Sequence, residues 1–189
     1  MAAGRGPDGP PQRRDPIKIV PYDAHWPTSF AQEQTRIEAA LRNYLVGRVE
    51  HVGSTAIPGL AAKPIIDMLS LVSDYDQTAG IVAELGDIGW VHAPEPGDHE
   101  RRKLSFCFPD VAWRTHHLHI WEVRSPDWRR LLFFRDHLRR HPDLAAKYAR
   151  IKADLAAVDD HDRPRYRSGK APFIEDILRQ LDSSSDARS

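Results

Sequence analysis

The 189-residue chain predicts a mixed fold of the α+β or α/β class, a small mixed sheet flanked by helices with a helical C-terminal third. Three observations predict it. The nearly continuous apolar run Ile65–Val72 reads as a central strand buried on both faces. Short β-branched or aromatic segments recur between residues 49 and 123. Beyond residue 125 the apolar spacing changes to the 3.6-residue period of helices.

Taken in order, Ile17–Val20 reads as a short strand stopped by Pro21. Phe30, Ile37, Leu41, Tyr44 and Leu45 share one face of a helix over residues 27–45, closed by Gly47. Val49–Val52 is a short strand, and Ile65–Val72 follows. Asp76 is the expected cap of a helix presenting Ile81, Val82 and Leu85 and ending at Gly86. Trp90–His92, Lys103–Phe108 and His117–Val123 read as strands, the last two paired antiparallel across the Pro109–Arg114 connection.

Ser125-Pro126 then opens a helix, with proline at its first position, carrying Trp128, Leu131, Leu132, Arg135 and Leu138. His141-Pro142 opens the next, with Leu144, Tyr148, Ile151 and Leu155 at helical spacing. A polar loop, Asp159–Arg167, leads to a last helix carrying Phe173, Ile174, Ile177, Leu178 and Leu181. Residues 1–16, dense in Gly, Pro and Arg, are expected to form a disordered leader, and residues 182–189 a disordered tail. Residues 17–181 make one domain of a size that supports a real core.

Composition narrows the function. The 27 Lys+Arg cancel the 27 Asp+Glu, which disfavours nucleic acid or an anionic membrane as the bulk partner. The single cysteine, Cys107, excludes an internal disulfide and a cysteine zinc cage; between Phe106 and Phe108 it reads as a small buried hydrophobe. No run approaches the roughly 20 apolar residues of a membrane span. The N-terminus lacks the apolar core of a signal peptide, so a cytoplasmic protein with no membrane partner is expected. Gly-x-Gly-x-x-Gly, Walker A and Gly-x-Ser-x-Gly patterns are absent, which removes support for dinucleotide binding, P-loop hydrolysis and a serine hydrolase.

Residues 49–67 carry the chemistry: Val-Glu-His-Val-Gly-Ser-Thr-Ala-Ile-Pro-Gly-Leu-Ala-Ala-Lys-Pro-Ile-Ile-Asp. Gly53 lets backbone N–H groups approach an oxyanion, and Ser54 adds a hydroxyl donor. Lys63 supplies a positive charge. Asp67, set in an apolar strand, needs a cation, a metal or a donor beside it. These are the parts of a phosphate-and-metal site. His117 and His119, two apart on a strand, project from one face and can join Asp67 around a single cation. Such mixed ligands suit manganese, iron or zinc better than magnesium.

The stretch from His51 to Asp67 resembles the signature of the GrpB family, a group in the nucleotidyltransferase superfamily. The resemblance continues through His117-Leu-His119, Phe134-Arg-Asp-His-Leu-Arg139, Tyr148 with Lys152, and Tyr166 with Lys170 and Phe173, covering residues 17–181. It implies a polymerase-beta-like nucleotidyltransferase fold, in which a Gly-Ser turn holds triphosphate and strand carboxylates hold a divalent metal. That metal would be magnesium or manganese, with zinc as a further option. Gly53, Ser54 and Lys63 are then the phosphate-binding residues. Asp67 and Lys63 are the catalytic pair, and Asp67, His117 and His119 the metal ligands. Lys103, Glu122, Arg135, Tyr148, Lys152, Tyr166 and Lys170 are expected to line the acceptor side of the cleft.

The expected reaction moves a nucleotidyl group from a nucleoside triphosphate to a small acceptor. Enzymes of this superfamily usually carry a second acid two residues after the first, aimed at the same metals. Here that position is Leu69. The departure favours an alternative: a catalytically degenerate protein that binds a nucleotide or a coenzyme A precursor, since family members resemble a domain fused to dephospho-coenzyme A kinase. A further alternative is an RNA-binding or RNA-modifying module using Arg129, Arg130, Arg135, Arg139 and Arg140. Against it, Arg135 and Asp136 read as internal salt-bridge partners, and Arg101-Arg-Lys103 as a solvated face.

Overall fold

Ile66–Val72 forms strand β2, and the sheet grows outward from it. The computed structural model describes residues 13–186. With β1 (Glu50–Val52), β3 (Val91–His92), β4 (Lys103–Phe108) and β5 (His116–Glu122), the five strands lie in the order β1-β2-β5-β4-β3. β2 and β5 run parallel, and the other neighbours antiparallel. The parallel register sets Asp67 beside His117 and Leu69 beside His119. Side chains alternate along a strand, so Asp67, Leu69, His117, His119 and Trp121 share one face.

The opposite face carries the main core. Helices α1 (Trp26–Ala40) and α2 (Thr78–Asp87) lie on it, where Ile37, Ile81 and Leu85 meet Met68, Phe106 and Leu118. The Asp67 face is covered only in part. Leu69 and Trp121 pack against Trp128, Leu131 and Leu132 of α3 (Trp128–Arg140). The second half of α3 joins α4 (Pro142–Val158) and α5 (Arg163–Asp186) in a helical layer around Leu138, Ala145, Tyr148 and Ile177. That layer leaves open ground in front of Asp67. No helix among the described residues is long and apolar enough to cross a membrane.

Several expectations shift at the edges. Ile17–Val20 makes no strand: only Val20 bridges, to Ala62, while Ile17 is buried. α1 stops at Ala40 instead of 45, because Leu45 turns back to bridge Val72 and the Val46 amide donates to Leu71 O. Asp74, not Asp76, is the cap; its carboxylate accepts from the Asp76 amide and starts a 3-10 turn that leads into α2. Regular α3 begins at Trp128, two residues after Pro126, with Ser125 Oγ accepting from the Asp127 amide at 3.4 Å.

The loop before α5 is shorter than Asp159–Arg167. Asp162 accepts from the Arg165 amide at 2.9 Å, a helix cap that starts α5 at Arg163. α5 continues through Asp186, past residue 181, where the sequence reading ends the ordered chain. Most of the expected leader, residues 1–12, lies outside the described residues. Its described end does not hang free: Asp15 pairs with Lys63 and Arg163.

Candidate functional site

Gly53 ends β1 in a conformation, φ +70° and ψ −168°, that is essentially reserved for glycine. It leads into a 3-10 turn, Ser54–Ala56. Asp67 lies directly behind: a Cβ on Gly53 would come within 2.9 Å of Asp67 Cβ and closer still to its carboxylate. The glycine thus lets the turn rest against the acid. Gly53→Ala is expected to cost about 1–3 kcal/mol in chemical denaturation and to push the Asp67 carboxylate out of place. An unchanged denaturation midpoint would contradict this account.

Asp67, His117 and His119 each offer one ligand atom, and these atoms lie within 4.8 Å of one another. Asp67 Oδ1 is 3.7 Å from His117 Nδ1, and the two imidazole rings are 4.1 Å apart. His119 Nδ1 and His117 Nε2 are buried without a hydrogen-bond partner among the described residues. Burial, reinforced by the charges of Lys103 and Arg114, keeps the His119 imidazole neutral, its pKa well below the ordinary value. Imidazole nitrogens without a hydrogen-bond partner, set beside a carboxylate, fit a divalent cation. Leu69 could not add a second acid without loss, since it is buried against Val52 and Trp121.

The floor of the site opens into a pocket of about 170 Å³ lined by Ser54, Lys63, Asp67, His117, Lys152, Tyr166 and Lys170. Arg13, Arg163 and Arg167 also face it. Lys152 is 2% exposed and donates to Ala61 O at 2.7 Å. Burial, with Lys170 nearby, brings its pKa down to about 7, although the charge of Asp67 opposes this. Burial likewise lowers Lys170 to about 8 and Lys63 to about 8, with Asp67 and Asp15 respectively opposing the shift. Buried ammonium groups held this way gain charge stabilisation when an anion arrives.

Tyr148 and Tyr166 carry the lysines, with Lys152 Nζ 4.8 Å from the centre of the Tyr148 ring and Lys170 Nζ 4.3 Å from that of Tyr166. Burial raises both phenols, Tyr166 to about 12, and the charge of Asp67 adds to it. A second pocket, about 570 Å³, shares Ser54, Asp67 and Lys170 with the first. Its remaining walls include Trp121, Leu131, Phe134, Tyr148 and Ile174. Asp67 therefore stands where a cationic chamber meets a more apolar one.

Gly53, Ser54, Lys63, Asp67, His117, Tyr148, Lys152, Tyr166 and Lys170 all line these two pockets, and His119 stands beside His117. Three other expected residues do not. Lys103 stands on the same sheet face two strands from Asp67 but outside both pocket linings, pairing with Asp98 at 3.0 Å and Glu95 at 3.4 Å. Glu122 points away, as the strand alternation requires, and binds Arg102 at 2.6 Å. Arg135 lies beyond β1, donating to Glu50 at 2.7 Å and His51 O at 2.9 Å. Arg139 is likewise engaged, by Ala56 O. The arginine helix of the RNA reading thus directs these two side chains to internal acceptors.

Sequence reasoning missed Arg13, Asp15, Glu95, Arg163 and Arg167. Glu95 Oε1 lies 3.7 Å from His117 Nε2. All five sit in loops, termini or helix starts with no periodic signal, so only the fold brings them in. His51, within the signature, is structural: its Nε2 is 3.0 Å from Thr55 Oγ1 and its ring stacks on Phe30 at 4.7 Å.

Burial, aided by Arg139 and Arg135, takes the His51 pKa down to about 4 against the opposing charge of Asp67. Because the folded pKa is below the unfolded one, the unfolded chain binds more protons between these values. Stability is therefore expected to fall as pH drops from about 6.5 to about 4. Denaturation midpoints at pH 7, 6 and 5 test it; a flat series would refute it.

Comparison with known proteins shows the family. The family described as GrpB protein matches residues 16–180. A UPF0157 protein of Pseudomonas aeruginosa is 41% identical over 165 residues, covering 87% of this chain and 67% of that protein. The crystal structure of the conserved protein GrpB from Enterococcus faecalis superposes with a TM-score of 0.77 at 30% identity, over 86% of this chain and 96% of that one. The chain belongs to the GrpB family. It is also 27% identical over 192 residues to a dephospho-CoA kinase of Mycolicibacterium paratuberculosis, covering 88% of this chain but 46% of the kinase.

Proposed function

We propose that this protein is a metal-dependent nucleotidyltransferase that moves a nucleotidyl group from a nucleoside triphosphate to a small acceptor. One observation carries the reading: the glycine-serine turn rests against Asp67 at the junction of a cationic chamber and an apolar one. Lys63, Lys152 and Lys170 hold the polyphosphate, and Ser54 donates its hydroxyl. Asp67, His117 and His119 would hold a divalent cation, manganese or zinc suiting the mixed donors better than magnesium. When bound, that cation neutralises phosphate charge and polarises the reacting phosphorus.

The acceptor sits in the chamber walled by Trp121 and Phe134. Its attacking atom bonds to the α-phosphorus while the bond to the β-phosphate oxygen breaks, and pyrophosphate leaves into the lysine chamber. Positioning and charge neutralisation supply most of the rate. Lysines that must be charged to bind make triphosphate affinity fall as pH rises through about 7 to 8. Titration calorimetry between pH 6.5 and 9 checks that slope, and affinity rising with pH would contradict it.

The second reading is binding without turnover, favoured by the buried Leu69 where a second acid would stand. A coenzyme A precursor is its natural candidate, given the relatives named dephospho-CoA kinase. A thermal-shift matrix of magnesium, manganese and zinc against the common nucleoside triphosphates and dephospho-coenzyme A separates the two. A metal-dependent triphosphate shift, with pyrophosphate released once an acceptor is supplied, supports transfer. A shift with dephospho-coenzyme A alone supports the binding protein. No shift with any of them defeats both.

A further inference from the structure

We propose that Asp15 occupies the terminal-phosphate position of the cationic chamber when no ligand is bound, and that an incoming polyphosphate displaces it. The proposal rests on the phosphate-site reading and adds the regulation of that site. The Asp15 carboxylate lies 2.5 Å from Lys63 Nζ, 2.7 Å from Arg13 Nε and 3.2 Å from Arg163 Nη2. Lys63 and Arg163 both line the chamber, the first from the loop before β2 and the second from the start of α5. Elements far apart in sequence thus converge on one carboxylate. Around it stand three cations for a single negative charge. A terminal phosphoryl group brings three oxygens and up to two charges, and satisfies that cradle better than two carboxylate oxygens do.

The segment holding Asp15 is built to let go. Its backbone ties are few: the Arg14 and Asp15 amides both donate to Ala112 O, at 3.0 and 3.1 Å, and the Ile17 amide donates to Asp160 O at 2.7 Å. Arg163 also bonds the Asp15 carbonyl. No ladder pairing begins until Val20 meets Ala62. Ile17, 2% exposed, anchors the far end and leaves residues 13–16 as a strap. Its hold on the chamber is chiefly ionic, through Lys63 and Arg163, the groups a phosphate would recruit, since Arg13 belongs to the strap itself. An internal competitor of this kind lowers the apparent affinity of a ligand by the fraction of time it is closed.

Inorganic tripolyphosphate is the probe, titrated calorimetrically into the wild type and Asp15→Asn. The variant keeps the shape and loses the charge. It is expected to bind about tenfold more tightly. Hydrogen exchange on the wild type gives an independent readout: the Arg14, Asp15 and Ile17 amides should lose protection at saturating tripolyphosphate. Equal or weaker binding by Asp15→Asn, or protection unchanged in the bound wild type, overturns the strap alone. Failure of both proteins to bind tripolyphosphate overturns the phosphate site and the strap together. Should Asp15→Asn fail to fold, the exchange experiment decides by itself.

Discussion

Asp67→Ala is expected to abolish metal-dependent triphosphate binding and any turnover while the fold remains. The parallel pairing of β2 with β5 places Asp67 beside His117 and in reach of His119. Removing the only carboxylate of this group leaves two imidazoles, which hold a divalent cation far less well. Metal affinity should fall at least about a hundredfold, since even outer-shell changes cost 10- to 100-fold. The Asp67 side chain is 34% exposed, so its loss should change stability by only about 1 kcal/mol. A thermal-shift series with manganese and nucleoside triphosphate reads both effects. Retained turnover in the variant would refute the assignment of the site.

Lys152→Met should weaken triphosphate binding and strengthen the fold, two effects of opposite sign from one substitution. The ammonium is 2% exposed among Tyr148, Lys170 and the Ala61 carbonyl. Burial lowers its pKa from the ordinary lysine range to about 7. At neutral pH and below, charging it costs the native state a few kcal/mol relative to the unfolded chain. The sign follows from proton counting. Between about pH 7 and 10 the unfolded chain binds the proton that the native chain has lost, so wild-type stability rises with pH there. The contribution is about 1.4 kcal/mol per pH unit for one proton.

Methionine has similar length and no charge, so the variant should lose that part of the rise and start from a higher stability at pH 6.5. Calorimetry should show tripolyphosphate affinity reduced about tenfold or more, the loss of one buried charge contact. A variant destabilised at pH 6.5, or one with wild-type affinity, would contradict the role given to Lys152.

How much of this was legible before folding depends on the kind of signal each residue carries. Gly53, Ser54, Lys63 and Asp67 lie within 15 consecutive residues, where residue type and turn chemistry together with the family resemblance single them out. His117 and His119 declared themselves by spacing alone, because a strand sends i and i+2 to one face. The same rule sends Glu122 the other way, to Arg102. Arg135 is drawn across β1 by Glu50 and the His51 carbonyl, partners 85 and 84 residues away that no local pattern reveals.

The amino-acid sequence by itself determined the strands of the sheet, the helical C-terminal third and the glycine-serine turn ahead of a half-buried acid. These depend on local periodicity and backbone preference, which act within a few residues. Only the tertiary structure decided that β5 pairs parallel with β2, bringing the two histidines to Asp67. It also decided that α4 and α5 close the cationic chamber with Lys152, Arg163 and Lys170, and that Asp15 pairs with two of the residues lining it, Lys63 and Arg163. Those contacts join segments separated by tens of residues. They are set by burial of the whole sheet face and by the need of each buried charge for a partner, which no single stretch of sequence contains.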